Sequence, residues 1–97
     1  MFIAMEVSVE LIRELRVIVP VIEKHDRDLA DQLRRAASSV TLNLGEGQRS
    51  YKGNRHKHYA IAHGSAGEVR AALLVAHAWG WIEPECVALQ VLDRLLQ

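Results

Sequence analysis

Between Glu46 and Glu68 the chain carries no acidic residue, yet Arg49, Lys52, Arg55 and Lys57 all fall inside that stretch. His56, His58 and His63 can add charge there, and Tyr51 and Tyr59 add flat aromatic surfaces. Clustered Lys and Arg neutralise phosphates and release the counterions condensed on a nucleic acid, so this window is a candidate phosphate-contacting patch. Arg34 and Arg35 could extend it. The same residues also fit a solvated loop and helix end whose charges only aid solubility.

Other chemistries find less support. His56, His63 and His77 repeat every seven residues, with Arg70 in the missing step. That spacing puts them on one side of a helix but about 10 Å apart along it, too far for two of them to reach one metal ion. They read as core or interface histidines. A di-iron centre in a helical bundle needs Glu-x-x-His pairs, and none occurs. Ser38, Ser39 and Ser65 fall among small residues inside helices, where packing or bonding back to the chain explains them. Cys86, the only cysteine, has no histidine placed beside it by the sequence and reads as an inert buried thiol. There is no Walker loop and no GxGxxG. No active site, metal site or cofactor is expected, and the chain is expected not to be an enzyme.

The elements that must position the basic window are helical. Ninety-seven residues suit one domain, 1–97, and twelve Lys and Arg balance twelve Asp and Glu. Such neutrality argues against a diffuse basic tail but not against a local patch. The longest run without a charged residue, 71–82, is shorter than the ~18–20 residues of a membrane span. The first residues lack a basic segment ahead of an apolar one. The expected setting is cytoplasmic, with no membrane partner.

Helical spacing of apolar residues dominates throughout. The first helix should run from about Glu6 to Lys24 with Val7, Leu11, Leu15, Ile18 and Ile22 inward, and a kink at Pro20. The second should be capped by Asp28, bury Leu29, Leu33, Ala36, Ala37, Val40 and Leu44, and end at Gly45 and Gly47. A polar loop near 46–51 follows, with Ser50 able to cap the next helix. The third should span roughly 51–79 and close on Gly80 in a left-handed conformation. Its small residues Ala60, Gly64, Gly67, Ala71 and Ala78 form a near-heptad seam expected to meet Ala36 and Ala37, and Trp79 and Trp81 should plug the end of the bundle. The fourth should run from Pro84 to Leu96. Its residues Val87, Ala88, Leu89, Val91, Leu92, Leu95 and Leu96 are more apolar surface than one neighbour covers, which points to self-association.

Two blocks then stand out: 32–47, QLRRAASSVTLNLGEG, and 61–68, IAHGSAGE. Gln32, Leu33, Arg34, Arg35, Ala36, Ala37, Ser39, Asn43, Glu46 and Gly47 in the first, with Gly64, Ser65 and Glu68 in the second, resemble the four-helix-bundle family of 23S rRNA intervening-sequence proteins. The chain departs from the family pattern at Leu44-Gly45, at His63 where the family has leucine, and at Gly53-Asn54 where an acidic capping residue is usual. The resemblance implies an all-α, antiparallel, up-down-up-down four-helix bundle that assembles into a homo-oligomeric ring, a pentamer in known members. A related branch, the accessory proteins of diversity-generating retroelements, implies binding of structured RNA or RNA/DNA and a reverse transcriptase partner, although such accessories are strongly basic and this chain is neutral. Arg49, Lys52, Arg55 and Lys57 would then contact phosphates. Arg34 and Arg35 are second candidates, with pairing to Glu46 and Glu68 as their structural alternative. The competing expectation is a protein-interaction scaffold in which the fourth helix and the Trp pair recruit a partner.

Overall fold

The computed structural model describes residues 3–83 and 87–95, and they form four α-helices with no strand among them. These are α1, Ile3–Glu23; α2, Arg27–Arg49; α3, Lys52–Ala78; and α4, Val87–Leu95. Pro84, Cys86 and Leu96 lie outside the described residues. The domain is elongated, 43 × 23 × 17 Å, its long axis matching the ~40 Å of a 27-residue helix at 1.5 Å per residue.

Helix α1 starts at Ile3, three residues earlier than its apolar spacing indicates, and continues through Pro20. It does not restart there, because Ile22 beyond the proline keeps phase and is fully buried. The chain then reverses in three residues. His25 and Asp26 both donate backbone N–H groups to the Ile22 carbonyl, at 2.9 and 2.8 Å.

The cap of α2 is Asp26 rather than Asp28. Asp26 has an extended backbone, and its Oδ1 accepts from the Leu29 N–H at 3.0 Å. The short reversal puts the first helical residue at Arg27, so Asp28 falls in the first turn, where its charge favours the helix dipole. Removing the cap with Asp26→Ala is expected to cost about 1 kcal/mol, measured by urea denaturation; Asp28→Ala should cost a few tenths.

Glycine does not end α2. Gly45 and Gly47 lie inside the helix, which runs on to Arg49. Ser50 closes it, donating its N–H to the Gly47 carbonyl at 3.4 Å and its hydroxyl to the Glu46 carbonyl at 2.6 Å. The expected loop therefore shrinks to Ser50 and Tyr51, and Ser50 caps the end of α2 instead of the start of α3. The C-terminus of α3 follows expectation. Gly80 has φ +82°, its N–H bonds to the His77 carbonyl, and the Trp81 N–H reaches back to the Ala76 carbonyl at 3.0 Å. This pair of bonds is the Schellman arrangement.

Leu11, Ile22, Leu33, Val40, Val69, Leu73 and Leu92 are the largest apolar side chains sealed in the core. Helix α2 packs against α1 and α3, and α1 also packs against α4. The buried face of α3 is Ala62, Ser65, Ala66, Val69, Ala72, Leu73 and Ala76. The expected seam, Ala60, Gly64, Gly67, Ala71 and Ala78, is instead exposed. At about 100° per residue the two sets lie on opposite sides of the helix. Both are small and apolar, and the side holding Val69 and Leu73 removes more surface from water.

In α4, Ala88, Val91 and Leu92 are buried, and Leu89 and Leu95 are half-buried against the core. At the end of the bundle Trp81 is half-buried and stacks on His25 at 5.0 Å. Trp79 stacks on Trp81 at 6.0 Å but stays 69% exposed, so only one of the two tryptophans acts as a plug.

Candidate nucleic-acid interface

The two-residue turn between α2 and α3 gathers the basic window at one end of the bundle. Arg49, in the last turn of α2, pairs with Glu46 through Nη2 and Oε1 at 2.7 Å. Arg55 folds back across the turn. Its Nε donates to the Gly47 carbonyl at 3.3 Å and its Nη2 to the Ser50 carbonyl at 3.4 Å. A guanidinium there satisfies carbonyls that the helix end leaves open and neutralises the negative end of the dipole. Lys52 and Lys57 are exposed and make no ion pair among the described residues. Beside them Tyr51 is 90% exposed.

The start of α3 adds to this positive field. Tyr51 occupies its N-cap position with no side-chain cap, and the first turn holds no acidic residue. The first turn of a helix presents backbone N–H groups without helical partners, together with the positive end of the dipole, and both favour an anion. Open space surrounds the Gly53 α-carbon, so little hinders approach to those amides. The Gly53-Asn54 pair, where a capping carboxylate is usual, was the sequence signal for this feature.

A polar seam holds α3 in register with α2. Ser39 Oγ and Ser65 Oγ are 2.8 Å apart. Asn43 Nδ2 donates to the Ser39 carbonyl at 2.9 Å and to its hydroxyl at 3.1 Å. His58 Nδ1 lies 3.0 Å from Asn43 Oδ1. An amide oxygen only accepts, so Nδ1 must carry the proton. The seam therefore fixes the tautomer of His58 and ties the beginning of α3, with its lysines, to the body of α2. Ser39 and Ser65 thus bond across helices rather than back to their own chain. A second cross-link joins Thr41 Oγ1 to the buried Ser8 Oγ at 2.8 Å.

Gly47 completes the crossing. It is buried, and a Cβ placed there would collide with the Tyr59 ring. Packing thereby explains four residues of the two recognisable blocks: Ser39, Asn43 and Ser65 build the seam, and Gly47 admits Tyr59.

Arg34 and Arg35 stand apart from the turn, about 21 Å along α2 from Arg49 at 1.5 Å per residue. Arg34 bridges Glu23 at 3.3 Å and Asp31 at 3.0 Å, and does not reach Glu46 or Glu68. Glu46 is too far along the helix and already holds Arg49. Arg35 and Glu68 line one open cleft of about 310 Å³ with Gln32, Ser39 and Ser65, without forming an ion pair. Of the histidine row, His56 and His63 are exposed and His77 is half-buried. Among the described residues no group of three or more His, Cys, Asp or Glu could hold a metal ion, and no helix is long and apolar enough to cross a membrane.

The family model for the 23S rRNA-intervening sequence protein matches residues 3–92, spanning all four helices. The chain belongs to this family. No curated protein and no solved structure gives a match. In this member of the 23S rRNA-intervening sequence proteins, the seam and the Gly47–Tyr59 contact hold the uncapped start of α3 at the same end as Lys52 and Lys57.

Proposed function

We propose that this chain is a non-enzymatic accessory protein that binds structured RNA, or an RNA/DNA hybrid, through the end of the bundle where α2 turns into α3. The observation that carries the reading is the coincidence of Lys52 and Lys57, both free of ion pairs among the described residues, with the open first-turn amides of α3 and the exposed Tyr51 ring. Cations and amides take phosphates, and an exposed aromatic ring stacks an unpaired base. Arg49 and Arg55 reinforce the field, although each also serves the end of α2. Arg35 is a secondary contact, and Arg34 is committed to Glu23 and Asp31.

The protomer is an up-down-up-down antiparallel bundle working in the cytoplasm as a homo-oligomeric ring, a pentamer by its resemblance to known members. Repetition of the turn around a ring supplies the avidity that a neutral protomer lacks. A reverse transcriptase, which handles structured RNA and RNA/DNA hybrids, is the protein partner suited to this role. The scaffold reading retains one observation, the exposed Trp79 at the opposite end.

The test is fluorescence anisotropy of a labelled structured RNA titrated with the protein across a salt series. Binding whose logarithmic affinity falls linearly with log salt supports phosphate contact. Absence of binding at low salt removes the nucleic-acid reading and leaves the scaffold.

A further inference from the structure

Helix α3 is apolar on two opposite sides, and the protomer covers only one of them. Val69 and Leu73 mark the covered side. On the other, Leu74 and Val75 are 42% and 44% exposed. Between them Ala60, Gly64, Gly67, Ala71 and Ala78 are also exposed, so the most outward part of the helix holds no polar side chain from residue 60 to 78. A helix with an apolar stripe on each of two opposite sides needs a neighbour on each.

Nothing among the described residues accounts for the two glycines. A Cβ at Gly64 or Gly67 would meet no atom within 4 Å, and each glycine weakens the helix by about 1 kcal/mol relative to alanine. Their spacing with Ala60, Ala71, Leu74 and Ala78 alternates four and three, the pattern by which one helix packs along another.

Charge selects the occupant. One edge of the face carries His63 and Arg70, and the other carries Glu68. Arg70 already leans on Asp93 of α4 at 3.7 Å, whereas His63 and Glu68 form no ion pair among the described residues. Two copies laid parallel bring the basic edge of one against the acidic edge of the next, and a step of five residues, as from 63 to 68, is the one at which flanking positions meet across parallel helices. Antiparallel copies would set each edge against itself.

We infer that the outer face of α3 is where copies of this chain meet, in parallel, with His63 of one copy facing Glu68 of the next and the backbones drawn together at Gly64 and Gly67. The inference rests on the homo-oligomeric reading above and specifies the surface that makes it.

Sedimentation velocity over a range of micromolar concentrations tests it on the full chain, with G64Q/G67Q beside the wild type. Glutamine is a better helix former than glycine, and both positions are open in the protomer, so circular dichroism should show undiminished helix. Leu42→Gln, at an exposed apolar position on α2, is the control. The expected result is an assembled wild type and control, with the double variant at the mass of one protomer. An assembled, folded double variant overturns this inference while leaving the oligomer intact. A monomeric wild type throughout overturns the oligomeric reading and this surface with it. If the double variant fails to fold, oxidation of Ala60→Cys and Ala78→Cys, each in a Cys86→Ser background, decides the matter. Each should link to its own position in another copy; links that form only when the two variants are mixed overturn the parallel arrangement.

Discussion

Alanine at Arg49, Lys52, Arg55 and Lys57 together is expected to weaken RNA binding by roughly three decades at 0.1 M salt. The estimate follows from counterion release: each phosphate contact contributes about 0.7–0.9 to the slope of log affinity against log salt. Losing four flattens the slope by about 3–4 per engaged protomer. The structure divides this effect in advance. Lys52 and Lys57 have no ion-pair partner within the described chain, so their double alanine variant should lose binding with an unchanged urea midpoint. Arg55 donates to the Gly47 and Ser50 carbonyls, so Arg55→Ala should also lower stability, by about 1 kcal/mol. Anisotropy and denaturation on the same preparations separate the two contributions. A salt slope identical for wild type and the quadruple variant would show that the RNA, if bound, sits elsewhere.

Any side chain at Gly47 should destabilise the protein, and valine by about 1–3 kcal/mol, the usual cost of forcing extra atoms into a packed site. The Tyr59 ring occupies the space a Cβ needs, and both residues lie where α2 and α3 cross. Against this stands a helix-propensity gain of up to about 1 kcal/mol for replacing glycine, so Gly47→Ala should lose less than Gly47→Val. Two exposed glycines of α3 make the contrast. At Gly64 and Gly67 a Cβ meets nothing within 4 Å among the described residues, so glutamine there should leave the fold unharmed. Thermal denaturation of the Gly47 variants should show midpoints lowered by about 4–8 °C per kcal/mol lost in a domain of this size. A Gly47→Val midpoint equal to that of wild type would mean that Tyr59 has another place to go.

Much of this molecule is legible along the chain because it depends on periodicity. Leu11, Leu15 and Ile22 recur at helical spacing, and no strand pattern competes with them; all three are buried. Gly80 before Trp81 marks the end of α3 because the left-handed conformation excludes side chains at little cost only for glycine. The basic window lies at one end of the bundle because its four cations flank a single turn. Helix ends were less legible. Asp26 and Asp28 are both good caps, and only the tightness of the preceding turn chooses between them. Gly45 and Gly47 resemble a stop signal, yet a Cβ on the first would stand 3.4 Å from the Met5 side chain, and the second makes room for Tyr59. These are contacts with residues 40 and 12 positions away, which no local pattern contains.

The sequence by itself determined four helices, the end of the bundle that bears the cations, and the family. Periodicity, turn chemistry and residue identity are properties of neighbouring positions. Tertiary structure alone decided which side of α3 faces inward. Ala62–Ala66–Val69–Leu73 and Ala60–Gly64–Gly67–Ala71 are both apolar stripes on one helix; packing buries the first, which removes more surface from water, and α2 holds it inward through Ser39 and Asn43, which bond to Ser65 and His58 on that side. It also decided that Lys52 and Lys57 have no ion-pair partner among the described residues while Arg34, Arg49 and Arg55 are held, since an ion pair or a capping bond forms only where the fold brings a carboxylate or an open carbonyl within about 3 Å.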